Sequence, residues 1–369
     1  MINERARFRL HHPVSAFSAL EEKAAGEPDA GLARRVIAAF AIEGGDASVG
    51  PVWDDLLDNN QAALLRWLKE GDDLAVARDM AALGRSEAAQ GFFGGANQHR
   101  KCQADPDFAK LLAVWTYDKL LSLAEAVGVV RHELAENGAW AISNRMTPTE
   151  LIDAIGAKLG IDLSPPEHVG GYLGIGASGQ VVQMRMIEAI YAAWRLKSLS
   201  DRYELKTICE IGAGAGLTAY YAQLLGIDDY IIIDLPSMNA VQGYMLGGSR
   251  VGEAVILHGE QDKSDSRIRI LPTTAFANLR EGEVGILYNQ DSFPEIEVSA
   301  ARCYIEGARR LRIQLLWSIN QEAHLATREG NMLSVPELVA SVGGYRLFSR
   351  HRHWLRQGYL DELYELSGD

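Results

Sequence analysis

The sequence predicts an α/β protein in which a helical first half precedes a mostly parallel, doubly wound sheet. Three observations carry that prediction. Before residue 200, apolar residues recur every three or four positions. After residue 205, short runs rich in Ile and Val alternate with amphipathic segments, the pattern of strands buried on both faces. Between the two lies SPPEHVGGYLGIGASGQ (164–180), whose prolines and glycines read as a loop or hinge. The expected organisation is a helical cap over 1–165, a connecting loop and helix lining the site over 166–205, and the sheet domain over 206–369.

In the first half, WDDLLDNNQAALLRWLKEG (53–71), FAKLLAVWTYDKLLSLAEAVGVV (108–130) and QVVQMRMIEAIYAAWRLKSL (180–199) read as helices. TPTELIDAIGAKLG (147–160) carries its own start and stop: Thr147 as N-cap, Pro148 in the first turn, Glu150 to close a capping box, and Gly160 at the end. In the second half the expected order is TICEIG, then LTAYYAQLLG; YIIIDL, then SMNAVQGYML; EAVILHG as third strand; VGILYN, then PEIEVSAARCYIEGARRL; and IQLLWSIN as fifth strand. Ser334 with Glu337 reads as a second capping box, and YRLFSRHRHWL (345–355) as a strand.

Composition excludes several classes. The 369 residues carry a net charge of −13 and no run of Lys or Arg, which argues against a nucleic-acid partner. Cys102, Cys209 and Cys303 are widely spaced, so neither a disulfide framework nor a cysteine-rich zinc site is indicated. MINERARFRLHH lacks an apolar signal region, and no stretch reaches the roughly 18 apolar residues of a membrane span. The expectation is a reduced, cytoplasmic protein with a small-molecule substrate. The helical half offers faces for a homodimer, although packing within one chain explains the same pattern.

The chemistry concentrates at residues 207–236. Glu210 closes the first strand of the sheet domain, and Gly212, Gly214 and Gly216 then let the backbone turn tightly and approach a ligand, with Ala213 between them. A helix beginning near Leu217 would aim free N–H groups at that ligand. Asp234, followed by Leu235, ends the second strand, where a carboxylate can accept both hydroxyls of a ribose. The dinucleotide fingerprint GxGxxG is not met, because Leu217 stands where its third glycine belongs.

The form E-x-G-x-G-x-G resembles the first motif of class I S-adenosylmethionine-dependent methyltransferases. EIGAGAG, IIIDLP with the following VQGYML, and YNQDSFPEI (288–296) are together similar to the putative sugar O-methyltransferase family, and this likeness spans 207–322. The resemblance implies a Rossmann-like class I methyltransferase domain, S-adenosylmethionine as cofactor, and a natural-product or sugar-type acceptor. It departs from the family at Ala213, Ala215, Pro294 and Ile296, the last two beside the expected acceptor pocket.

Methyl transfer asks the protein for alignment and for removal of the acceptor's proton. Asn289, Gln290, Asp291 and Ser292 end the fourth strand and would face the cofactor's methionine part. Asp291 is a candidate base, metal ligand or amine partner, and Asp291-Ser292 would equally serve as a helix cap. His168, His258 and His324 are candidate bases because imidazole is neutral near physiological pH, though each also fits a surface or packing role. Tyr172, Gln180 and Arg185 precede the first strand of the sheet domain, where the loop GGYLGIGASGQ, with His168 just before it, would close over the site; Tyr172 is a candidate catalytic residue, Gln180 a candidate cofactor contact, and Arg185 would pair with the cofactor's carboxylate or lie exposed on its helix. His11/His12 and His351-x-His353 suggest metal pairs, but an alternating pair on a strand ordinarily marks a solvated face, no His-x-x-x-His with a nearby acid supports a zinc site, and no metal is expected. Rival readings are an enzyme that consumes S-adenosylmethionine by cyclising its aminobutyrate arm, a non-catalytic binding module of the same fold, and an NAD oxidoreductase.

Overall fold

The computed structural model describes residues 10, 19–45, 50–132, 144–261, 267–321 and 333–368. The helical half contains α1 (Ala30–Glu43), α2 (Pro51–Asn59), α3 (Ala62–Glu70), α4 (Asp73–Ala81), α5 (Gly95–Ala104), α6 (Pro106–Ala126) and α7 (Pro148–Leu159). Two of these elements differ from expectation. The segment 53–71 breaks at Asn60–Gln61 into α2 and α3. The chain from 173 onward is not all loop: Leu173–Ala177 (β2) and Gln180–Val182 (β3) form a hairpin that adds Leu20–Glu22 (β1) antiparallel to β2. The glycines that suggested a hinge instead admit neighbours, since a Cβ on Gly174 would lie 2.2 Å from the Val182 carbonyl oxygen. The α7 capping box forms as read, with Glu150 N–H donating to Thr147 Oγ1 and Gly160 left-handed at the C-terminus.

The second half runs α8 (Met184–Tyr203), β4 (Thr207–Ile211), α9 (Leu217–Leu224), β5 (Asp229–Asp234), α10 (Pro236–Gly247), β6 (Val255–Leu257), β7 (Arg267–Pro272), β8 (Ile286–Gln290), α11 (Val298–Arg310), β9 (Leu315–Gln321), α12 (Val335–Val342), β10 (Tyr345–Arg352) and β11 (Tyr359–Leu366). The sheet order is β10-β11-β9-β8-β4-β5-β7-β6, and β11 alone runs against its two neighbours. This is a Rossmann-like, doubly wound sheet closed at one edge by an antiparallel hairpin. The chain moves outward from β4 to β5 and on to the edge strand β6, comes back one place to β7, and then crosses to β8 on the other side of β4, so the switch of direction lies at β4.

The expected third strand, EAVILHG, is the edge strand β6. The strand beside β5 is β7, RIRILP, which sequence reading passed over. Its alternation of Arg267 and Arg269 with Ile268 and Ile270 disguised it, because those arginines lie against Asp229 and Glu283 at the sheet surface. At α12 the expected capping box is absent: the Ser334 side chain makes no cap bond, and Pro336 in the first turn has no amide to offer.

Alternation along the strands sorts the core. Ile208, Tyr230, Ile232, Tyr288 and Trp317 face one cluster, which continues without interruption into Val36, Leu64, Met80, Leu120 and Ile155 of the helical half. Cys209, Ile231, Ile233, Leu287 and Leu316 face the other, covered by Ile305 of α11 and Val339 of α12. The helical half is therefore packed against one face and over the carboxyl edge of the sheet. No helix among the described residues is long and apolar enough to cross a membrane.

Candidate active site

The site begins where β4 ends. Gly212, Gly214 and Gly216 all have positive φ. At Gly212 the requirement is strict: φ is +72°, and a Cβ would sit 2.3 Å from Ser292 Oγ. The Gly212 amide donates to the Ile233 carbonyl at 3.0 Å, which holds the loop against β5. Asp234 lies at the adjacent strand end, 9% exposed. Its carboxylate accepts from the amides of Ala213 and Leu235, both at 2.9 Å, and from Gln242 Nε2 at 2.7 Å. Gln242, on α10, also donates to the Gly214 carbonyl at 3.0 Å, so one buried amide ties the acid to the loop.

From the other side, Asn289 Nδ2 and Ser292 Oγ both donate to the Ile211 carbonyl at 2.8 Å, and Asn320 Nδ2 donates to Asn289 Oδ1 at 2.9 Å. The Ser292 side chain is thus spent on β4 and does not cap the following turn. Asn289 and Ser292 fix the distance between β4 and β8.

These strand ends floor a cavity of about 340 Å³. Glu210, Gly212, Ala213, Gly214, Asp234, Leu235, Gln290, Asp291, Ser292 and Arg185, all expected site residues, line it. Gly216 and Asn289 support the lining from behind. Trp53 of α2 and Phe92 and Phe93 of the helical half close the cavity from above.

One wall is ionic. Asp291 Oδ2 accepts from Arg185 Nη1 at 2.8 Å and Arg356 Nη1 at 2.6 Å. Arg185 also reaches Glu188 at 2.9 Å, and Glu188 takes Lys119 at 2.6 Å. Arg356, on the β10–β11 turn, stacks 3.7 Å above the Tyr359 ring. Burial favours neutral Asp291 and Glu188, but the surrounding cations outweigh it and hold both carboxyls below their ordinary range. Two other carboxyls shift the opposite way. Burial, with Asp234 nearby, pushes Glu210 up to about 8 against a 2.8 Å bond from Tyr230. Burial, with Asp291 nearby, pushes Glu295 up to about 7 against Arg185, Arg356 and a Trp53 hydrogen bond.

The remaining candidates lie elsewhere. His168 packs on Tyr244 with Nε2 2.9 Å from the Tyr244 carbonyl, behind α10, and burial lowers its pKa. His258 follows edge strand β6, on the far side of β7 from the glycine loop. Tyr172 is 3% exposed against Phe93, and its hydroxyl has no hydrogen-bond partner among the described residues. Gln180 sits in the β2–β3 hairpin. Tyr220 and Tyr221 are core residues whose hydroxyls donate to the carbonyls of Ser164 and Leu163. His324, His11 and His12 fall outside the described residues. His351 and His353 do not share a solvated face: β10 ends at Arg352, and His353 turns inward beneath Tyr191, where burial lowers its pKa to about 4. Among the described residues no cluster of His, Cys, Asp and Glu could hold a metal.

Sequence reading missed Trp53, Gln242, Glu295 and Arg356. The quoted segments WDDLLDNNQAALLRWLKEG, VQGYML and SFPEI contain three of them, but nothing in local pattern marked Trp53 or Glu295 as lining the cavity or Gln242 as holding Asp234 from behind.

No protein-family model and no curated protein matches the chain. Among solved structures it is similar to mitomycin 7-O-methyltransferase MmcR, with TM-score 0.40 and 11% identity over 92% of this chain and 95% of that one. It is similar to the CcbJ methyltransferase from Streptomyces caelestis, with TM-score 0.35 and 13% identity over 48% of this chain and 89% of that one. It is also similar to magnesium protoporphyrin IX methyltransferase (ChlM) from Synechocystis PCC 6803 with bound SAM, with TM-score 0.34 and 12% identity over 52% and 86% of the two chains.

Proposed function

We propose that the chain is a cytoplasmic S-adenosylmethionine-dependent O-methyltransferase acting on a small or medium acceptor of natural-product or sugar type. The observation that supports this reading is the pairing of a loop in which Gly212 and Gly214 lack a Cβ with a carboxylate, Asp234, pre-positioned by three donors on the adjacent strand end. That pair lies inside a cavity roofed by the helical half.

The residues fit the cofactor's parts. Asp234 would accept the ribose hydroxyls without having to reorganise, since Ala213, Leu235 and Gln242 already fix its plane. Leu235, Thr273, Ala300 and Tyr304 line the cavity on the Asp234 side and would flank the base. Arg185 and Arg356 offer guanidinium groups for a carboxylate, and Asp291 between them offers a partner for an ammonium group. When bound, the cofactor supplies a methyl group activated by positively charged sulfur. The protein's task is to align the acceptor oxygen with that carbon, to exclude water beneath Trp53, Phe92 and Phe93, and to accept a proton.

The test is incubation with S-adenosylmethionine alone and with hexoses, uronic acids and simple phenols, followed by mass spectrometry. S-adenosylhomocysteine together with a methylated acceptor is expected. Methylthioadenosine from the cofactor alone would replace this reading by the cyclising one. Failure of S-adenosylmethionine to bind in calorimetry would overturn both.

A further inference from the structure

We propose that Glu295 is the catalytic residue that removes the acceptor's proton. The assignment rests on the methyltransferase reading of this cavity and adds to it a proton acceptor that neither His168 nor His258, the two histidine candidates among the described residues, supplies.

Five carboxylates line the cavity: Glu188, Glu210, Asp234, Asp291 and Glu295. Four are committed. Glu188 is held by Lys119 and Arg185, and Asp291 by Arg185 and Arg356. Asp234 is spanned by two amides and Gln242, and Glu210 is buried under the loop with Tyr230 donating to it. A carboxylate stabilised by guanidinium groups is a weak proton acceptor. Glu295 makes no ion pair among the described residues, and its side-chain partner is the indole N–H of Trp53.

Its position is built rather than incidental. The Glu295 amide donates to the Ser292 carbonyl at 3.0 Å, and the neighbouring Pro294 carbonyl accepts from Leu333 at 3.2 Å. Gly50, with φ +135°, lets the start of α2 approach this segment: a Cβ there would lie 3.0 Å from the Glu297 amide nitrogen. That close approach delivers Trp53 to Glu295. The charged groups facing Glu295 are Asp291 from the end of β8, Arg185 from α8 and Arg356 from the β10–β11 turn. Burial and Asp291 raise its pKa to about 7 against both arginines and Trp53. A base of that strength is partly ionised at neutral pH and still basic enough to act.

In the step, a Glu295 oxygen takes the hydroxyl hydrogen as the acceptor oxygen bonds to the methyl carbon. The carbon–sulfur bond breaks with its electron pair left on sulfur, which becomes a neutral thioether. The proton later passes from Glu295 to water.

Sinefungin tests the placement without an acceptor, because it carries a primary amine where the transferable methyl stands. S-adenosylhomocysteine carries nothing there. Calorimetry at pH 8 should show the wild type preferring sinefungin by about tenfold, the scale of one charge-assisted contact. The preference should shrink at pH 6, where Glu295 is protonated. Glu295→Gln should abolish it at both pH values while binding S-adenosylhomocysteine within about threefold of wild type, which reports an intact pocket. Glu295→Asp, should the first variant fold poorly, should retain a reduced preference. An undiminished preference in Glu295→Gln, or one independent of pH, would overturn the assignment and leave the cofactor reading standing. No binding of either ligand to the wild type would overturn both.

Discussion

The cavity has two walls built on different principles. The wall formed by the β4–α9 loop and Asp234, with Gln242 behind it, comes from 33 consecutive residues, Glu210 to Gln242, and presents backbone and one fixed acid. The opposite wall joins Arg185 and Glu188 of α8, Asp291 after β8 and Arg356 on a distant hairpin, with Lys119 of α6 behind Glu188. The first wall is shape, set by which residues lack a Cβ. The second is charge, set by which elements the fold brings together. The comparison teaches that the local wall should govern cofactor affinity, while the assembled wall should govern stability and polar selectivity.

The largest expected effect falls on the local wall. Gly212→Ala places a Cβ on Ser292 Oγ and forces an alanine to φ +72°. Binding of S-adenosylmethionine should weaken by at least about 100-fold, close to 3 kcal/mol. Near-native affinity by calorimetry would mean that the loop does not touch the cofactor. Next comes Lys119→Met, which leaves Glu188 buried with one cation fewer. Urea unfolding should show a loss of about 3 kcal/mol. Cofactor affinity should stay within about threefold, because Lys119 does not line the cavity. A variant that keeps its stability and loses binding would erase the distinction between the walls.

The same contrast explains what was legible in the sequence. The alternation of apolar strands and helices, the α7 capping box and the glycine loop are local patterns, readable because a short stretch determines them. The strand β7 was hidden because Arg267 and Arg269 satisfy Asp229 and Glu283 at the sheet surface, a partnership across elements. Arg356 and Trp53 look like ordinary turn and helix residues, and only the approach of the start of α2 to residues 295–297 and the bond from Arg356 to Asp291 bring them to the cavity. His168 and Tyr172 misled for the complementary reason. A chemically suitable residue in a glycine-rich stretch is no guide to direction, and that stretch folds into a hairpin and connector packed behind α10 and Phe93.

Asp234→Ala separates the acid from the loop that holds it. It removes the proposed ribose acceptor and also the partner of the Ala213 amide and Gln242. Affinity for S-adenosylmethionine should fall by about 2 to 3 kcal/mol, the worth of a charge-assisted bond together with the unpaired donors left behind. Asp234→Asn, which keeps one acceptor oxygen, should lose less. Equal affinity for wild type and Asp234→Ala would remove Asp234 from the site.

Gln242→Leu is the finest cut and isolates pre-positioning from contact, because Gln242 does not line the cavity. Its Nε2 fixes Asp234 Oδ2 at 2.7 Å and the Gly214 carbonyl at 3.0 Å, while its Oε1 is buried with no hydrogen-bond partner among the described residues. Leucine removes two useful bonds and one unsatisfied acceptor together, so thermal stability should change little. Affinity for S-adenosylmethionine should still fall by about 1 kcal/mol, roughly fivefold, because Asp234 is freed to turn and must be ordered again on binding. If the loss appears in the melting temperature and not in affinity, Gln242 serves the core rather than the site, and the local wall owes its shape to glycine alone.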